Sequence, residues 1–238
     1  MYLENNCENI IKYNFLTKFL HKRKYNLINK ILLKKYKNKY FQIIDFGCGT
    51  CSLYNNLRKD LNFSYLGIDN NNKALSLGLK RNGDKKNFSV LNKDLSEFKD
   101  TENYVGETPL VFVCFDFLEH INYWNAKSFL ESISVYDFDY LFVNLPKENG
   151  LSILLKNFIS FIIGYRRHRE YKWSQTFLAS LNLFDYLPNH EGNHLAFDIR
   201  VIIKYLMQNY DIKITTSPFK IMPFSITPSV FIKCIKKS

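Results

Sequence analysis

Apolar and polar positions along the 238-residue chain follow two alternating rhythms. Short apolar runs, FQIIDF at 41–46, FSYLGI at 63–68, FSVLN at 88–92, LVFVCF at 110–115 and YLFVNL at 140–145, are separated by stretches with apolar residues every three or four positions. Runs of that length, rich in β-branched and aromatic side chains, predict strands, and the longer period predicts helices. Helices are expected from the loop after 46 to about residue 60, briefly after 92, and from Asn72 and Asn122. Strands joined by helices imply right-handed crossovers and a doubly wound parallel sheet. FDIRVIIKYLMQNY, 197–210, is helical in period, whereas DIKITTS, 211–217, and SVFIKCIKK, 229–237, alternate like paired antiparallel strands. The fold class is therefore α/β: Rossmann-like, mostly parallel, and ending in an antiparallel C-terminal hairpin strand.

Two regions stand apart from this rhythm. Phe15, Phe19, Leu27, Ile31 and Leu32, with Lys and Arg between them, predict an N-terminal amphipathic helix or helix pair whose basic face is wet. After Pro146 the alternation stops, and residues 147–195 look like an insertion or lid over the sheet. Its apolar run, LSILLKNFISFIIGY at 151–165, is too short and too interrupted by Lys156 and Asn157 to span a bilayer. Three readings of 151–163 are open, with ordinary core leading over a lid on an apolar substrate and a membrane-surface helix. With no internal repeat or low-complexity linker, one domain over 1–238 is expected, with 1–40 as a helical N-terminal segment.

Composition adds three constraints. A hydrophobic fraction of 46% and an aromatic fraction of 16% belong to a globular chain. The formal charge of +11 concentrates in 21–39 and in YRRHR, 165–169, so a polyanionic partner is one reading and a solvated face the other. Cys7, Cys48, Cys51, Cys114 and Cys234 follow no disulfide-framework spacing, and no signal-peptide pattern is read at the start, so the expected compartment is the cytoplasm. Cys48 and Cys51 form a CxxC without the second pair that a zinc site wants.

Candidate chemistry begins at IIDFGCGT, 43–50. In a doubly wound sheet the ligand lies beyond the carboxyl ends of the strands, so the turn holding Gly47 and Gly49 lines the site. Ser52 stands where a dinucleotide-binding loop would have its third glycine. Asp69 ends the second predicted strand near the spacing at which an acid receives ribose hydroxyls. Asp45, close to the loop, would repel a pyrophosphate and attract an ammonium group. Asp94, after the third strand, can meet an exocyclic amine of adenine. Together these suit a ligand with ribose, adenine and an amino acid.

On DFGCGT, Asp69, Asp94 and FDFLEHI at 115–121, the chain resembles the class I S-adenosylmethionine-dependent methyltransferases, near the branch that includes ubiquinone-pathway O-methyltransferases. The likeness covers roughly 40–145, with a weaker echo at 193–212. It implies a seven-stranded sheet with the last strand antiparallel, and S-adenosyl-L-methionine as cofactor. By that likeness Asp45, Gly47, Cys48 and Gly49 would hold the methionine end, Asp69 and Asn70 the ribose, and Asp94 with Leu95 the adenine. The backbone near Cys114 and Phe115 would line the methyl-donor pocket.

Methyl transfer from a sulfonium is an in-line displacement, so positioning in a dry pocket supplies most of the catalysis. His120, after the fourth strand, is the candidate base, against a structural histidine that bonds its own loop. Asp116, Glu119 and His120 also resemble the metal-binding ExxEH of small-RNA 2′-O-methyltransferases, but Asp replaces the first Glu and YRRHREYKW echoes the second half only loosely, so no metal is assigned. The acceptor expected from these readings is a small molecule, lipid-linked compound or glycan methylated at oxygen. An RNA acceptor on the basic surface, or a cofactor-binding interaction module without catalysis, are the alternatives.

Overall fold

The computed structural model describes residues 15–93, 108–162, 171–192, 194–217 and 221–237, with side chains from residue 22 onward. Its first helix, α1, spans Phe15–Tyr36, and strand β1 (Tyr40–Phe46) follows. Next come α2 (Ser52–Asn56), β2 (Asn62–Asp69), α3 (Asn72–Asn82), β3 (Phe88–Asn92) and β4 (Leu110–Phe115). A 3₁₀ turn, Leu118–His120, leads to α4 (Tyr123–Ser134) and β5 (Tyr140–Pro146). Beyond it lie α5 (Leu151–Ile162), α6 (Trp173–Ser180), α7 (Ile199–Asn209), β6 (Tyr210–Ser217) and β7 (Ser229–Lys236). The seven strands form one sheet in the order β3-β2-β1-β4-β5-β7-β6. Neighbours from β3 to β5 pair parallel, while β7 runs antiparallel to both β5 and β6.

The sheet is covered on both faces, which explains why β4 is an unbroken apolar run with all six residues buried. Phe112 and Cys114 face a core shared with Phe129 and Leu130 of α4 and Ile202 and Leu206 of α7. Val111, Val113 and Phe115 face the other core, closed by Ile28, Leu32 and Tyr36 of α1. Such alternation is the two-residue period of a strand read against two helical layers.

Three expectations are corrected. The helix expected to about residue 60 stops at Asn56, because Leu57 turns extended (φ −72°, ψ 148°). Asn55 and Asn56 there donate from their side chains to the carbonyls of Cys51 and Ser52, competing with the helix ladder. The basic face of α1 is not wholly wet: Lys24 is buried at the same four-residue spacing as Ile28, Leu32 and Tyr36. The run 151–163 is not ordinary core. In α5 the buried positions are Ser152, Ile153, Asn157 and Ser160, and the larger apolar side chains point outward. Polar contacts set that orientation: Asn157 donates from Nδ2 to Thr176 Oγ1 of α6 at 2.6 Å, and Lys156 pairs with buried Glu148 at 3.0 Å.

The brief helix expected after 92 and the YRRHR stretch lie outside the described residues. Among the described residues no helix is long and apolar enough to cross a membrane.

Candidate active site

The turn after β1 is shaped by two glycines in left-handed backbone. Gly47 has φ +66°, and a Cβ there would come within 2.4 Å of the Phe117 ring, so only glycine lets the fourth-strand loop close over the first. Gly49 has φ +53° with open space around it, leaving its backbone accessible. Both Gly47 and Cys48 donate their N–H groups to Ile68 O, which ties this turn to the end of β2.

Asp69 completes the arrangement from β2. Its Oδ2 accepts from Gly49 N and its Oδ1 from Asn71 N, each at 2.8 Å. Two backbone donors thus fix both carboxylate oxygens, which keep further lone pairs for a ligand. Asn71 in turn caps α3, accepting from Lys73 N and Ala74 N. Asp69 therefore bonds the loop rather than capping the helix.

A cavity of about 840 Å³ opens at these strand ends, lined by Gly47, Asp69, Asn70, Asp116, Phe117 and His120 among others. The remaining sequence candidates sit behind it. Asp45 is buried and accepts from Tyr65 Oη at 2.6 Å. Burial, partly offset by that hydrogen bond and by Lys24, pushes its carboxyl up to about 7. Cys48 and Cys51 are buried with their sulfurs 3.8 Å apart, and the Cys51 contact together with burial pushes the Cys48 thiol up, so Cys48 offers no reactive thiolate. The side chains of Cys114 and Phe115 turn into opposite cores, while their successors Asp116 and Phe117 line the cavity. Asp94 and Leu95 lie outside the described residues.

The mouth holds groups that the sequence reading assigned no place in the cofactor site. Asp116 adopts φ +51°, rare for a residue with a side chain, and is held there by Asn144, whose Nδ2 donates to Oδ1 at 2.6 Å. Its other oxygen pairs with the Lys24 ammonium, reaching across from α1. Burial alone would lower the Lys24 pKa, but Asp116, then Tyr25 and Glu119, raise it above the ordinary lysine value, so the charge persists. The clue in the sequence was the four-residue spacing from Lys24 to Ile28, Leu32 and Tyr36.

His120 opens on the cavity, and its ring lies 5.1 Å from that of His194. Surrounding protein lowers its pKa, with Asp116 opposing and His190 reinforcing the shift, so the imidazole is neutral near pH 7. Its loop is buttressed by the segment before α7: His190 Nε2 lies 3.0 Å from Ile121 O, and Gly192, at φ +81°, packs where a Cβ would meet His120 O at 2.6 Å. Glu119 is buried outside the cavity lining, and burial followed by Asp116 raises its carboxyl well above the usual range. Among the described residues no three His, Cys, Asp or Glu side chains are placed to hold a metal ion.

No protein-family model and no curated protein sequence matches the chain. Solved structures do. Magnesium protoporphyrin IX methyltransferase from Synechocystis PCC 6803, with bound S-adenosylhomocysteine, aligns at TM-score 0.60 and 16% identity over 94% of this chain and 88% of that one. The plantazolicin methyltransferase BpumL, also in complex with that product, aligns at TM-score 0.61 and 14% identity over 98% and 90%. The methyltransferase domain of a bacterial Hen1 protein aligns at 0.60 and 16% over 92% and 100%.

Proposed function

We propose that this protein, whose fold is that of the class I S-adenosylmethionine-dependent methyltransferases, is itself such a methyltransferase, acting at oxygen on a small-molecule, lipid-linked or glycan acceptor. One observation carries the reading. Asp69 stands at the rim of the strand-end cavity with both oxygens pinned by Gly49 N and Asn71 N, as an acceptor for paired hydroxyls requires.

The residues present fit the cofactor. Asp69 and Asn70 would hold the ribose, the backbone of Gly47 and Gly49 the amino-acid end, and the Asp94–Leu95 segment the adenine. Asp45 would act through its charge, behind the loop. Bound there, S-adenosylmethionine would supply a methyl group on a sulfonium, open to in-line displacement. The protein's part is to place the acceptor beside it, exclude water with Phe117 and the cavity walls, and accept the acceptor's hydroxyl proton at His120.

The test is transfer of labelled methyl from S-adenosylmethionine to a panel of hydroxylated small molecules, lipid extracts and glycans. Turnover on one class supports the reading; cofactor binding without turnover on any supports the interaction-module alternative. With the acceptor in hand, His120→Gln should remove an acid limb lying below pH 6.5 from the rate profile and lower kcat on the order of 100-fold. Full turnover by the variant assigns His120 to structure.

A second reading rests on one feature. A separate cavity of about 620 Å³ between α1 and β5–β7 is lined by Arg23, Lys30, Lys34, Lys35, Lys213 and Lys233 with no acid. Such a surface suits a phosphodiester backbone. RNA retention that falls steeply with salt and with K213E/K233E would move the acceptor to RNA.

A further inference from the structure

Helix α5 is inside out. It turns Ser152, Asn157 and Ser160 inward and presents Leu155, Phe158, Ile159 and Ile162 to solvent, with Phe158 55% and Ile162 66% exposed. The inward face cannot simply be exchanged for the outer one, because Asn157 is bonded to Thr176, and Lys156 to both Glu148 and the Lys147 carbonyl. Helix α6 extends the same surface. Trp173 and Phe177 are 50% and 58% exposed, and the Phe161 and Trp173 rings meet edge to face at 6.2 Å. A continuous apolar face of this kind marks an interaction site rather than scattered surface residues.

Three observations select its occupant. None of the α5 or α6 side chains lines the strand-end cavity, so the face is not a wall for the acceptor inside it. Neither helix contains an Asp or Glu, and exposed Lys172 flanks Trp173. The whole chain carries +11, so a second copy of it would meet like charge, whereas an anionic surface would not. Exposed Trp, Phe, Leu and Ile with a flanking Lys and no acid is the pattern of an element that lies in a membrane interface.

We propose that the α5–α6 face docks this protein on an anionic lipid bilayer. Both helices lie in the insertion that follows the carboxyl end of β5, the end of the sheet on which the cavity opens. The inference does not depend on the methyltransferase reading, since lipid binding is measured without cofactor.

The experiment is sedimentation of the full chain with vesicles of phosphatidylcholine alone and of phosphatidylcholine with 30% phosphatidylglycerol, in parallel with F158E/I162E. Retention on the anionic vesicles, weak retention on neutral ones, and at least a tenfold loss in the double variant are expected. Both substituted side chains are exposed, so the variant should keep its melting temperature and its affinity for S-adenosylhomocysteine. In W124F, where Trp173 is the remaining tryptophan, anionic vesicles should shift the emission to the blue. Absent retention, equal retention of the double variant, or a dimer abolished by F158E/I162E with no vesicle binding overturns the proposal. Absence of S-adenosylhomocysteine binding by the unsubstituted chain, with vesicle binding intact, would sink the methyltransferase reading alone.

Discussion

The loop end of β1–β2 and the α5–α6 insertion use opposite means to fix their shape. Around Asp69 the backbone decides: left-handed glycines, strand-end carbonyls and pinned N–H groups converge on one cavity. In the insertion a small core of Ile153, Tyr171 and Ala179 is supplemented by side-chain bonds, and most large apolar groups are left outside. The strand-end loops are over-determined by the sheet, whereas the α5–α6 surface is held by a few polar contacts.

Lys24→Met should have the largest destabilising effect. It removes the buried member of an ion pair whose other member, Asp116, lines the cavity and keeps its bond from Asn144, at a cost of about 1.5–3 kcal/mol in unfolding free energy measured by denaturant titration. A loss under about 1 kcal/mol would show that the mouth is not held by this pair. Asp69→Ala should come next, weakening S-adenosylhomocysteine binding on the order of 100-fold in calorimetry, since two hydrogen bonds to a charged group are lost.

Asn157→Ala sharpens the contrast from the other side. Removing its bond to Thr176 should lower stability by about 1–3 kcal/mol in thermal unfolding, with cofactor affinity unchanged. If affinity falls as well, the two regions are coupled.

The effect of Asp45→Asn depends on pH. The Asp45 carboxyl is raised to about 7 in the folded chain, so its contribution to stability is complete below the ordinary carboxylate range and is lost as pH climbs through 7. The variant should therefore gain about 2–3 kcal/mol relative to the unsubstituted protein between pH 5 and 8. Parallel melting curves at the two pH values would contradict this assignment.

The strands were legible in the sequence because burial on both faces leaves continuous apolar runs, and all five parallel strands fall within a residue of FQIIDF, FSYLGI, FSVLN, LVFVCF and YLFVNL. Asp69, Gly47 and His120 were legible too, since strand-end position follows from those runs. Lys24 was not, because a charge amid basic residues reads as solvated until its partner, 92 residues away, is known. Asn144 was hidden for the same reason: its bond to Asp116 spans two strands. The outward face of α5 was missed because hydropathy reports how apolar a helix is, not which side its Asn157 and Lys156 anchor.

The central claim is that the cavity at the ends of β1, β2 and β4 binds S-adenosylmethionine through Asp69. Isothermal titration of the full chain with S-adenosylhomocysteine, beside Asp69→Ala, tests it most directly. One site per chain, with binding collapsing in the variant, is the predicted result. No heat and no thermal protection, or equal affinity in both proteins, would contradict it.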